Sequence, residues 1–156
     1  MFLYTLPYMT LYEQIREDMK AAMKNKDSRT LDTVRMLISS LKNKAIDLGK
    51  ELDDAEVMTT IKSDVKKLKD GLDSFVSAAR EDLAAAAREE IAILEKYLPA
   101  QMTDGELEKK VRAKLTDLGI TDMASVGKAM GALMMDLKEF ADGSRIKAMV
   151  DKILKK

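Results

Sequence analysis

Two segments in the last third of the chain hold the residue types best suited to gripping a phosphate. The first is Gly127-Lys128-Ala129-Met130-Gly131, the second Ala141-Asp142-Gly143-Ser144-Arg145-Ile146-Lys147. Gly127 and Gly131 stand four apart, so on a helix they share one face. Each costs up to about 1 kcal/mol there relative to alanine, and something should offset that. Close packing of a neighbouring helix is the first explanation, and close approach of a ligand backbone the second. The second segment also reads two ways. In the plain reading Gly143 permits a turn, and Asp142 or Ser144 caps the last helix. In the sharper one the first amides of that helix face a phosphate, helped by Arg145 and Lys147. Asp142 suits the capping role better, because its carboxylate would compete with an incoming anion.

Other chemistry is bounded by what the chain lacks. It contains no histidine and no cysteine among 156 residues. The usual acid–base group near neutral pH is missing, as are thiolate nucleophiles, disulfides and zinc–thiolate sites. No Ser-His-Asp or Cys-His arrangement can be drawn, and no Glu-x-x-His dinuclear motif exists. The expectation is therefore no catalytic residue, no metal and no cofactor. Lysines 62, 66, 67 and 69 are interleaved with Asp64, Asp70 and Asp73, which describes a solvated helix face. Lys109, Lys110, Arg112 and Lys114 are similarly balanced by Glu106 and Glu108.

These residues must be carried by helices. No segment alternates apolar and polar residues long enough to make a strand, and only two prolines and seven glycines interrupt the chain. Thr10-Leu11-Tyr12-Glu13, Asp53-Asp54-Ala55-Glu56 and Thr103-Asp104-Gly105-Glu106 have capping-box spacing. The first helix should run to about Lys24, with Asp27 or Ser28 capping the second. The second should bury Leu31, Val34, Ile38, Leu41, Ala45 and Leu48 and close at Gly49. The third carries Val57, Ile61, Val65, Leu68, Leu72 and Phe75. The fourth starts near Glu81-Asp82 and is ended by Pro99. The fifth stops at Gly119, a sixth spans about Asp122 to Phe140, and the last uses Ile146, Met149, Val150, Ile153 and Leu154. Met130, Met134 and Met135 read as core. The expected architecture is all-α, with two dissimilar small bundles of about four and three helices. The domains would be 10–98 and 99–156, and residues 1–9 an uncertain extension.

Charge and hydropathy set the remaining expectations. There are 27 basic and 27 acidic residues overall; from Leu98 onward there are 11 and 9. The second half is thus mildly basic, a weak pull toward anions. No stretch reaches membrane-spanning length, and the first residues carry no signal or transit pattern. A cytoplasmic protein without membrane partners is expected.

Several of these segments together resemble the YqeY-like family, related to the tail domain of the GatB subunit of tRNA-dependent amidotransferases. The resemblance is carried by Leu11-Tyr12-Glu13-Gln14-Ile15, Arg35-Met36-Leu37, Lys42-Asn43, Ala79-Arg80-Glu81-Asp82-Leu83 and Tyr97-Leu98-Pro99-Ala100-Gln101. Gly127 to Gly131 and Ala141-Asp142-Gly143 resemble the part shared with the amidotransferase tail. It implies an accessory, non-catalytic module associated with tRNA or other structured RNA. Candidate contacts are Gly127, Lys128, Gly131, Lys138, Ser144, Arg145 and Lys147, with Asp142 and Gly143 shaping the turn. One alternative is a protein-interaction module beside an amidotransferase or synthetase. Another is a contribution to glutamine-dependent carbon–nitrogen ligation, with partner subunits only. The stretch Met135-Asp136-Leu137-Lys138-Glu139-Phe140 departs from the family pattern, placing Asp136 and Glu139 where basic residues would favour phosphate. Phe140 is expected to pack, with stacking on a base as the second use.

Overall fold

Helix starts are fixed by side chains three residues apart. The computed structural model describes residues 9–155, so the expected extension at residues 1–8 lies outside the described residues. At α1 (Leu11–Lys24), the Glu13 amide donates to the Thr10 hydroxyl and the Thr10 amide to the Glu13 carboxylate. The same reciprocal pair, Asp53 and Glu56, opens α3 (Asp54–Ser77). Asp27 caps α2 (Ser28–Leu48), accepting from the Thr30 amide and hydroxyl. Helix α4 (Glu81–Glu95) has no side-chain cap. Its first turn instead carries Glu81 and Asp82, which favour the positive end of the helix dipole.

The first three helices end with one device. Gly49 after α2 has φ +67°, and the amides of Gly49 and Lys50 donate back to Ile46 and Ala45. Helices α1 and α3 close in the same hydrogen-bond pattern without glycine, through Lys26 at φ +56° and Ala79 at φ +55°. Left-handed backbone is unfavourable for a residue with a Cβ, so both positions hold local strain.

The chain divides into two compact units, one ending at Leu98 and one beginning at Pro99. In the first, α1 to α4 enclose a core centred on Ile15, Leu37, Leu41, Val57, Ile61 and Leu94. Buried Ala84 and Ala87 allow α4 to lie close to its neighbours. The Tyr97 hydroxyl donates to the Asp18 carboxylate at 2.6 Å. Burial first, then that carboxylate, push the Tyr97 phenol well above its ordinary range. The α2 stripe differs from expectation. Leu37 and Thr33 are buried, whereas Leu48 is exposed. Helix α2 meets α1, α3 and α4, so its buried arc is wider than a single stripe, while its last turn faces solvent.

The second unit contains α5 (Asp104–Asp117), α6 (Val126–Leu137) and α7 (Gly143–Leu154). The Thr103–Glu106 box opens α5, and Gly119 follows it at φ +65°. The core is aliphatic, built on Leu107, Val111, Leu133, Ile146 and Val150. The sixth helix is shorter than Asp122 to Phe140. Asp122 accepts from the Ala124 amide at 3.0 Å and sets a single 3-10 turn, Met123–Ser125. At the other end the amides of Phe140 and Ala141 both donate to the Leu137 carbonyl, which closes the helix early. The described residues are helices and connections only, as the all-α expectation holds.

Candidate contact face on helix α6

Helix α6 turns Ala129, Leu133 and Leu137 into the core. The opposite side carries Gly127, Gly131 and Met135 at four-residue spacing, with Lys128 and Lys138 beside them, all exposed. A Cβ added at Gly127 or Gly131 would meet nothing within 4 Å. The expected packing of a neighbouring helix on these glycines is therefore absent. Their backbone lies open, and nothing within the unit offsets the helix stability they forgo.

Met135 is the second correction. It was expected in the core with Met130 and Met134, yet it is 83% exposed, while those two pack against the core. The signal was available: Met135 continues the 127, 131 spacing on the solvent side. Asp136 pairs with Lys114 of α5 at 2.8 Å, and this contact raises the Lys114 amine above its ordinary value. The Asp136 charge is thus answered within the unit, by Lys114.

The turn into α7 is a clasp. The Met102 amide donates to the Phe140 carbonyl at 2.8 Å, and the Gln101 side-chain amide to the Glu139 carbonyl at 3.3 Å. Phe140 itself is half-buried. Asp142 caps α7, accepting from the Arg145 amide at 3.0 Å. Arg145 Nη2 donates to the Met102 carbonyl at 2.7 Å and to Asp104 Oδ1 at 2.8 Å. That guanidinium ties α7 to the start of α5, which removes it from a simple role as a surface cation. Gly143 is not needed for a left-handed turn. It is the first residue of α7 and faces Met134, whose sulfur would lie 3.4 Å from an added Cβ.

The structure thus gathers Gly127, Lys128 and Gly131 on α6, with Lys138 at its C-terminal cap. Ser144 and Lys147 share the exposed side of α7, and Arg145 turns away from them toward α5. Lys128 and Lys147 enter no ion pair among the described residues. Those residues also contain no group of three or more acidic side chains placed to hold a metal ion, and no helix long and apolar enough to cross a membrane.

A family model described as Yqey-like protein matches residues 12–154. Three relatives share the name Altered inheritance of mitochondria protein 41, mitochondrial. The one from Lachancea thermotolerans is 33% identical over 115 residues, covering 71% of this chain and 61% of its own. The Kluyveromyces lactis protein is 36% identical over 108 residues, covering 67% and 58%. A Saccharomyces cerevisiae protein is 29% identical over 102 residues, covering 65% and 55%. The chain thus spans about three-fifths of the length of these relatives. These relatives are named as mitochondrial proteins, a finding that overturns the cytoplasmic expectation. That expectation rested on the lack of a leader pattern, and a cellular address is not written in helix packing.

Proposed function

This chain belongs to the YqeY-like family, and we propose that its second unit is a non-catalytic module that docks structured RNA, tRNA first, through the open strip of α6. One observation carries this reading: two exposed glycines one turn apart with nothing filling the space above them. Bare helix backbone allows a sugar–phosphate backbone to approach more closely than any side chain would. Lys128 stands beside the strip, and Lys147 supplies a further cation on α7. Recognition would follow shape and phosphate contacts rather than base sequence.

The test is anisotropy of the full chain with a total tRNA pool at about 50 and 200 mM salt. Two or three phosphate contacts predict about a ten- to fortyfold loss of affinity across that range. Lys128→Glu and Lys147→Glu should each weaken binding and flatten the salt slope. Arg145 is a poor probe, because changing it also breaks the clasp. Absence of binding at low salt would sink the reading.

A second reading, docking of a partner protein, is favoured by the exposed Met135, since methionine surfaces adapt to varied partners. Recovery of the same protein after nuclease treatment would select it. A role in glutamine-dependent amide transfer would require partners that supply ATP activation and ammonia.

A further inference from the structure

We propose that Met135 is a sulfoxidation site through which a hydroperoxide alters the α6 face without altering the fold. The chain has twelve methionines and no cysteine, so thioethers are its only sulfur targets for peroxide. Met135 is the most exposed of the large apolar side chains among the described residues, at 83%, followed by Ile46 at 77% and Met36 at 68%. Met130 and Met134, its neighbours on the same helix, are partly buried against the core. Access therefore separates three methionines within six residues.

The step balances with hydrogen peroxide as the oxidant. The Met135 sulfur attacks one peroxide oxygen, the S–O bond forms and the O–O bond breaks. The proton on the transferred oxygen passes to the departing one, which leaves as water. Sulfur loses two electrons and the peroxide gains them. The product is polar and accepts hydrogen bonds, replacing a soft apolar group beside Gly131 and Lys138. Because the Met135 side chain lies outside the core, the helices should be undisturbed. Any effect on RNA binding rests on the reading of this strip as a contact face.

The full chain would be treated with limiting hydrogen peroxide and mapped by peptide mass spectrometry, with hydrogen exchange followed on the same samples. The expected result is sulfoxide at Met135 several times faster than at Met130 or Met134, with unchanged exchange in the core peptides of α5 to α7. Met135 reacting no faster than Met130 and Met134, or core exchange rising with its oxidation, would overturn the proposal. The tRNA arm reads the contact face separately. Oxidation should weaken binding severalfold, Met135→Leu should make binding insensitive to peroxide, and Met36→Leu should not. A reduced chain that binds no tRNA defeats the RNA reading, while the mass and exchange data still decide the oxidation site.

Discussion

Replacing the strip glycines should strengthen the fold while weakening its contacts. Glycine in a helix interior is about 0.8–1 kcal/mol less favourable than alanine. Gly131 lies mid-helix and should yield about that much as Gly131→Ala. Gly127 is the second residue of α6, and its replacement should give about half. No steric term opposes either, because a Cβ at both positions meets nothing within 4 Å. The double variant should gain about 1.5 kcal/mol, close to a tenfold change in an equilibrium constant. Optical probes serve this unit poorly, since all four tyrosines precede Pro99 and tryptophan is absent. Hydrogen exchange of α5 to α7 peptides is the suitable assay, and the most protected amides should exchange about tenfold more slowly. The tRNA affinity of the same protein should fall, because the added methyl groups hold a backbone away. Unchanged or faster exchange would refute the claim that the strip is open. Slower exchange with undiminished affinity would refute its use as a contact face.

Three further perturbations address other features. Ala79→Gly relieves a residue held at φ +55° and should stabilise the first unit by about 0.5–1 kcal/mol, read as a higher urea midpoint by circular dichroism. Arg145→Ala removes hydrogen bonds to the Met102 carbonyl and the Asp104 carboxylate. With the side chain one-third exposed, the loss should be about 1–2 kcal/mol, seen as faster exchange in α5 and α7 peptides. Tyr97→Phe deletes the bond to Asp18 and should cost about 1–2 kcal/mol near neutrality. The Tyr97 phenol is raised in the folded chain. Above pH about 10 the unfolded phenol ionises while the folded one stays protonated, so stability falls as pH rises. Urea titrations on both sides of that pH should show a steeper loss in the parent than in Tyr97→Phe.

What was legible in the sequence was what neighbouring residues decide among themselves. Thr10 with Glu13, Asp53 with Glu56 and Thr103 with Glu106 each form their boxes, because both partners lie within one turn. The left-handed residues Lys26 and Ala79 carry no mark in the sequence, because only glycine advertises that conformation. Burial was harder where several helices meet. Leu37 is buried and Leu48 is not, a distinction set by which helices lie alongside α2. Met134 and Met135 are chemically identical and adjacent, and only the direction of α6 separates them. The Arg145 bonds to Met102 and Asp104 span more than forty residues, and no local pattern announces them.

Met102 fixes where the second unit can be cut. Its amide donates to the Phe140 carbonyl, in the connection between α6 and α7, and its carbonyl accepts from Arg145 of α7. The capping box at Thr103 looks like a natural first residue for an excised fragment. A fragment begun there would leave the Phe140 carbonyl without its donor and Arg145 without the Met102 carbonyl. The hydrogen bonds of the second unit therefore begin upstream of its first helix, and Gln101 and Met102, in sequence an apparent connector, are bonded into the unit they precede.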